Sequence, residues 1–577
     1  MMTNIINETV IANNNVILIV SIFYDLLTCI KCNAIFRTDI LSSIVEASNS
    51  LETSNNVILK ETKCDDICLS PECIHIASQV LKNMNPKVEP CDDFYKFACG
   101  GFLESTFIPD DQNTVNTIST INDNIQKQRR LILEQDSPPN ELRPFKLAKD
   151  FYKSCINKTA IEQRGLTLLL NNLKELGGWP VLDSEGSWNE NDFTWMDSVY
   201  RFRRFGHSFC YFIGFKVMNS YNSTENYSKR WISLFRASFG LSRKYLINGL
   251  DDKFVQAYYD YMVDIAVILG AKLSQARTEL KESLKFEIKL ANISFDEKPS
   301  PNNSMTLNQL SAAYPSIPWQ EYFNTILAPQ GQLNQNDTIS VHHPGYLKNF
   351  ILLISTTPKR VQANYAFWRA IAATIKYYET DDIWKIRLKY LSNLKLNGKQ
   401  NRQPRWKECI DIVSEGKKLL YISVESMYVR KYFKEDAKKI VLEMANDVKQ
   451  EFTMILKKAD WINEETKSYI LEKTAVTTLN IAYPDELLND RKLEEFYEKL
   501  ELNADDYIGN IFNLSNFETN LEFSKLRQPW NKTEWIKRVK PAAANAFYLW
   551  LENEIEVNVG IMQGIFFNDE RPHYMNY

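Results

Sequence analysis

Between positions 434 and 458 the apolar residues Ala437, Ile440, Val441, Met444, Val448, Phe452 and Leu456 recur every three or four positions, with Lys, Glu and Asp between them. That is the period of an α-helix with one apolar face; a strand would scatter these side chains over both of its faces. A helix this long needs cover for its stripe, and the stripe reads as core-facing rather than as a groove for a partner. Composition extends the argument to the whole chain. Glycines number only 18 in 577 residues, while aromatics reach 12%. That balance favours long packed helices over a glycine-rich α/β sheet or a turn-rich sandwich. Further helices are read at 117–133, ended before Ser137-Pro-Pro, and at 141–157, 254–270 and 280–291. Asn463 caps another, with Glu464 and Glu465 in its first turn. The chain is expected to be mainly α.

A chain of 577 residues exceeds the size at which one core keeps growing, so two or more domains are expected. The hydrophobic share of 44% and charged share of 24% are those of a globular protein. A net charge of -4, with no dense Lys/Arg cluster, excludes a dedicated nucleic-acid binder. Positions 16–30 form the strongest apolar run near the start, interrupted by Asp25. A helix of ~15 residues spans about 22 Å, short of the roughly 30 Å hydrocarbon core, which suits a signal peptide better than a membrane span. Residues 1–34 are therefore read as a signal peptide or signal anchor, with Cys32, Asn33 and Ala34 as a cleavage region. Residues 35–66, polar and poor in aromatics, read as a stalk. The body is placed in the secretory pathway: secreted, or at the plasma membrane with the body outside if the leader stays as an anchor.

Cysteine placement supports that compartment. Cys64, Cys68, Cys73, Cys91 and Cys99 crowd into one segment, whereas Cys155, Cys210 and Cys409 stand apart, and no paired C-x-x-C pattern suggests a structural zinc knuckle. Acceptors for N-linked glycans occur at Asn157, Asn222, Asn226, Asn292, Asn302, Asn336, Asn513 and Asn531.

Two local patterns carry more. In Cys91-Asp-Asp-Phe-Tyr-Lys-Phe-Ala-Cys99-Gly-Gly101, Asp92 and Asp93 suit the first turn of a short helix, Phe94, Phe97 and Ala98 fall on one face, and Gly100 reads as its left-handed stop. At the far end, 545–549 and 554–559 flank a polar turn at Glu552 and Asn553. Ile555, Val557 and Val559 alternate with Glu554, Glu556 and Asn558, the pattern of a half-buried strand in a hairpin. An edge hairpin of this kind can accept an extended peptide as an additional strand, although most such hairpins only build structure.

The string Cys68-x4-Cys73, Glu89-Pro-Cys91-Asp-Asp-Phe-Tyr and Ala98-Cys99-Gly-Gly101 resembles the amino-terminal signature of the neprilysin family of zinc peptidases. The likeness continues through Ser154-Cys155-Ile-Asn157, Gly178-Trp-Pro-Val181, Met305-Thr-Leu307, Trp461-Ile-Asn-Glu-Glu-Thr-Lys467, Ile481-Ala-Tyr-Pro-Asp485, Asn545-Ala-Phe-Tyr548 and Gly560-Ile-Met-Gln563. The resemblance implies a large helical cap enclosing a cavity with a thermolysin-like zinc domain, and small extracellular peptides as substrates. On this basis 67–118 opens the catalytic domain, 119–510 is the cap, and 511–577 resumes the catalytic domain, bringing only a small β-hairpin of it.

The family's zinc helix carries H-E-x-x-H, in which two histidines on one helix face grip the metal and the Glu activates its water. This sequence has no such motif. Its histidines are His75, His207, His342, His343 and His573, none paired at i,i+4. His342 and His343 read as a solvated loop pair. No catalytic residue, metal ligand or bound zinc is therefore expected in this chain, and 511–577 is read as stopping before the zinc helix. The resemblance assigns substrate binding to Asn545 and Ala546. It also implies disulfides Cys68–Cys73 and Cys155–Cys409, and leaves Cys91 and Cys99 unpaired because their family partners lie further along. The arginines with which some members hold a substrate carboxylate have no counterpart in 110–125. Two functions compete: part of a zinc metalloendopeptidase, or a non-catalytic secreted protein that binds or sequesters peptides.

Overall fold

The computed structural model describes residues 68–577 except 113, 184–185, 220–229, 295–302, 379, 395–401, 415–418, 530, 532–533, 541 and 551. The leader, the stalk, Cys64 and the acceptors Asn222, Asn226 and Asn302 lie outside the described residues. Helices dominate, with two small sheets.

Helix α1 (Pro71–Asn83) is capped by the Ser70 side chain, and Cys68 is bonded to Cys73 across its start. Helix α2 (Phe94–Ser105) corrects the sequence reading twice. Asp93 is its cap, so Cys91 lies before the helix, and the helix runs through Gly100 and Gly101 instead of ending there. These glycines serve close approach. A Cβ on Gly100 would sit 2.7 Å from Asn85 Cβ, and one on Gly101 would sit 2.5 Å from the Lys82 carbonyl oxygen. The helix that α2 crosses leaves no room for a methyl group. Gly101→Val is therefore expected to undock α1 at a cost of about 1–3 kcal/mol, measured as faster proteolytic cleavage within Pro71–Asn83. Unchanged cleavage would remove the close-packing argument.

Helices α3 (Thr117–Leu133) and α4 (Arg143–Ile156) follow where the periodicity places them. Strands β1 (Ile213–Asn219) and β2 (Arg230–Arg236) pair antiparallel, and β3 (Ser304–Thr306) and β4 (Thr338–Val341) complete a sheet of order β1-β2-β4-β3. The sequence reading contained no strand here. Helices α5 (Lys253–Ile268) and α6 (Leu273–Asn292) pack near α7 (Lys359–Thr374), which is buried without interruption from Gln362 to Ile371. A helix buried on every side is the centre of a domain rather than its wall. Helix α8 (Arg405–Ser414) is bonded to α4 through Cys155–Cys409, and α9 (Tyr421–Tyr432) lies against α3 and α4.

Helix α10 (Glu435–Lys458) carries the opening stripe, and α11 (Glu464–Ala475) starts at the Asn463 cap. The stripe is less covered than its pattern implies. Ala437 and Leu456 are buried and Ile440, Val441 and Met444 pack partly on the core, but Val448 is 39% and Phe452 40% exposed. Strand β5 (Thr478–Ala482) covers part of α10, and nothing among the described residues closes over the middle of its apolar face.

The last sheet joins β5 to β6 (Ala546–Leu549) and β7 (Glu554–Asn558) in the order β5-β7-β6. The pair β6–β7 is antiparallel and β5–β7 parallel. Here the burial of β7 reverses the expected sense: Glu556 and Asn558 are buried, while Ile555 and Val557 are half-buried. Segment 538–545 supplies polar partners to that face. Lys540 stands 3.3 Å from Glu556, and the Asn558 amide donates to the Asn545 carbonyl at 3.2 Å. Alternation in sequence identified the strand but not which face water would reach.

Candidate functional site

Strand β6 lies at a sheet edge, and its register decides which peptide groups face outward. Asn545 and Asn558 share a ladder hydrogen bond, and Ala546 lies opposite Val557. In an antiparallel pair bonded and non-bonded positions alternate, so Ala546 and Tyr548 turn their backbone groups away from β7, towards the open edge. The Ala546 N–H is closed by its own neighbour, donating to Asn545 Oδ1 at 2.9 Å. An incoming peptide carbonyl can replace that local bond, releasing the Asn545 amide to grip the same peptide. Tyr548 and Trp550 stand beside it, 40% and 72% exposed. The turn is fixed by Asn553, which adopts φ 52°; its carbonyl accepts from the Thr478 amide at 3.1 Å and its side-chain amide donates to the Lys473 carbonyl at 2.9 Å.

The approach to Asn545 is held from helices α3 and α9. Glu425 accepts from the Ala542 amide at 2.8 Å and pairs with Arg129, which donates to the Ala542 carbonyl at 3.0 Å. Asn122 Oδ1 accepts from the Ala544 amide at 2.9 Å, and the Tyr421 hydroxyl donates to the Val539 carbonyl at 2.9 Å. Sequence reasoning missed these residues. The available signal was a lone Glu425 among apolar and hydroxyl residues, with Tyr421, Glu425 and Tyr428 at i, i+4 and i+7 on one face.

The histidines do not converge. His75 and His573 are exposed. His207 is buried, 3.0 Å from Asn172 Oδ1, and burial pushes it down to about 3, so it is neutral. His342 and His343 are not the solvated pair expected. His342 stacks on Phe235 with centroids 4.3 Å apart, and His343 is buried where helix Pro344–Thr356 begins. Aromatic packing, invisible in a two-residue motif, draws them in. Among the described residues no group of three or more His, Cys, Asp or Glu could hold a metal.

Cys91 is exposed and Cys99 half-buried, both as free thiols; Cys210 is also free, its thiol pushed up to about 11 by burial. The acceptors Asn157, Asn292, Asn336, Asn513 and Asn531 are exposed. Asn157 Oδ1 caps helix Lys158–Glu175, a bond that leaves its amide nitrogen for a glycan. No described helix is long and apolar enough to cross a membrane.

The solved structures of a Mycobacterium tuberculosis zinc metalloprotease, Zmp1, in complex with an inhibitor and of PepO from Lactobacillus rhamnosis share the fold. Their TM-scores are 0.67 and 0.68 at 20% and 18% identity; each match covers 85% of this chain, and 71% and 74% of the respective structures. Neprilysin-2 of Drosophila melanogaster is 41% identical over 527 residues, covering 89% of this chain and 67% of that protein. Endothelin-converting enzyme 1 of Homo sapiens is 28% identical over 525 residues, covering 90% of this chain and 66% of its own length. Neprilysin-11 of Caenorhabditis elegans is 30% identical, and the match takes in 63% of it, so the chain spans about two thirds of these relatives. The sequence profile of peptidase family M13 matches residues 90–484. The chain belongs to peptidase family M13, the neprilysin family of metallopeptidases.

Proposed function

We propose that this chain is the cap and substrate-strand portion of a neprilysin-like zinc metalloendopeptidase that hydrolyses small extracellular peptides. In this reading 119–510 is the cap, 67–118 and 511–577 belong to the catalytic domain, and the protein works outside the cell, secreted or tethered by its leader. Asn545 and Ala546 align the substrate backbone. The observation that carries the reading is the outward edge of β6, where the Ala546 peptide group is closed only by its neighbour Asn545. In this reading these residues bind and orient, while the zinc chemistry would come from an H-E-x-x-H helix, a motif absent from this sequence.

The transcript downstream of Tyr577 tests this: an in-frame H-E-x-x-H is expected. An immediate stop codon would favour the second reading, a non-catalytic protein that binds peptides along the same edge. In an enzyme that includes the zinc region, Asn545→Ala is expected to lower kcat/KM by the equivalent of about 1–3 kcal/mol, through lost hydrogen bonds to the substrate backbone. Folding should change little, since the side chain's bond is to the next residue. An unchanged kcat/KM would remove Asn545 from the site.

A further inference from the structure

Between helix Trp535–Arg538 and β6, residues 539–540 and 542–545 form no regular element, yet they decide where Asn545 begins its strand. Ahead of the Asn545–Asn558 ladder bond no helix or strand pairing among the described residues sets register, so that stretch depends on side chains from elsewhere. Four contacts converge on it. Arg129 and Glu425, 6% and 1% exposed, take both the carbonyl and the amide of Ala542 in one closed ring. Asn122 takes the Ala544 amide, and Tyr421 the Val539 carbonyl. From the opposite direction Gly560 lies so close that a Cβ there would fall 2.3 Å from the Ala543 carbonyl carbon.

A buried ion pair is a poor device for merely joining two helices, because an apolar pair of similar volume does so without desolvating two charges. Its particular use is that a carboxylate and a guanidinium can hold both backbone polar groups of one residue at once, accepting from its N–H and donating to its C=O. Ala542 is three residues before Asn545, so a slip of one residue there would turn Asn545 to the other face of β6. Buried Arg129 Nε has no partner among the described residues, a cost consistent with a guanidinium placed for Ala542 rather than for its own satisfaction.

We propose that Arg129 and Glu425, assisted by Asn122, are positioning residues that fix the register of the Asn545–Ala546 strand from the cap helices α3 and α9. The role rests on the reading of that strand as the substrate edge. Helices α3 and α9 then set the alignment of the bound peptide, and a change in their spacing would be transmitted to Ala542.

The test is hydrogen–deuterium exchange on the whole chain, with fluorescence anisotropy of fluorescein-labelled hexa-alanine as a backbone-only probe. The variants are Arg129→Met with Glu425→Leu, which keeps an apolar fill between the helices, and separately Asn122→Ala and Asn122→Asp. In the double variant, exchange over 542–549 is expected to rise at least tenfold and hexa-alanine binding to weaken at least fivefold, with α3 and α9 protected as before. Asn122→Ala should raise exchange over the same residues severalfold, and Asn122→Asp, which keeps the acceptor, should restore protection. The Asn122 pair decides the matter if the double variant does not fold. Unchanged exchange over 542–549, or an equal rise across Thr117–Leu133 and Tyr421–Tyr432, would overturn the positioning role. Asn545→Ala separates the two ideas: if it leaves hexa-alanine binding intact, the substrate-edge reading falls, while the exchange data still judge the clamp.

Discussion

Replacing Cys155 and Cys409 together by alanine is expected to destabilise the chain by about 3–5 kcal/mol. The bond joins positions 254 residues apart, from the end of α4 to the middle of α8. Chain-entropy arithmetic for a loop of that size gives about 5 kcal/mol, an upper value because engineered and native bridges often return less. Both cysteines are fully buried, and Arg405 donates to the Cys155 carbonyl at 2.8 and 3.0 Å. Those contacts survive the substitution, so the native packing of α4 on α8 should persist while the unfolded chain gains freedom. Cys68–Cys73 is the internal control. It closes a loop only five residues apart, worth about 2 kcal/mol on the same arithmetic, at the edge of the described structure. Urea unfolding of the two double variants measures the difference. A Cys155/Cys409 variant no less stable than the Cys68/Cys73 variant would sink the loop-closure account. Mild reductant should also open Cys68–Cys73 first, since it alone reaches solvent.

How much of this was legible in the sequence follows from the range of each interaction. Helices showed through because their apolar period is local: Thr117–Leu133 runs over the residues its stripe marks, and Asn463 caps through its own side chain onto the Thr466 amide. The strand that carries Asn545 and Ala546 was legible because its motif and its pairing partner are close in sequence. The four-stranded sheet was not, since β2 meets β4 across more than a hundred residues and neither strand has clean alternation. Gly100 shows the same limit from the other side. A glycine after a helical stripe signals a stop, but helix crossing needs the same residue, and only the neighbouring chain distinguishes the two. The exposed middle of α10 and the buried Glu556 are further cases in which tertiary neighbours, not period, decided burial. Arg129 and Glu425, 296 positions apart, left only the trace of a charge where the helix face was otherwise apolar.

The same limit bears on the packed core around α7, where that helix places a buried charge. Arg369 and Glu287 are 6% and 0% exposed and lie 3.3 Å apart. Glu287 accepts from the Gly240 amide at 2.7 Å and the Tyr258 hydroxyl at 3.1 Å, and Arg369 also donates to the Ser238 carbonyl. Burial pushes the Glu287 carboxyl above its usual range, and Arg369 with the two hydrogen-bond donors pulls it back only in part. Arg369→Met is expected to cost about 3–5 kcal/mol at pH 8, since it leaves a carboxylate buried without its counter-charge. The sign with pH follows from linkage. A carboxyl whose folded value is raised binds more protons folded than unfolded, so its contribution is present below the unfolded value near 4.5 and is lost as pH rises through the folded one. Without Arg369 the folded value rises further, so Glu287 enters the core protonated more readily at pH 5 than at pH 8. The loss at pH 5 should therefore be clearly smaller than at pH 8. Adding Glu287→Gln to Arg369→Met should recover most of the loss at pH 8 and remove its pH dependence, because no buried charge remains. Urea unfolding followed by tryptophan fluorescence at the two pH values measures all of these. Equal losses at both, or no recovery in the double variant, would show that the guanidinium matters here for its packing and not for its charge.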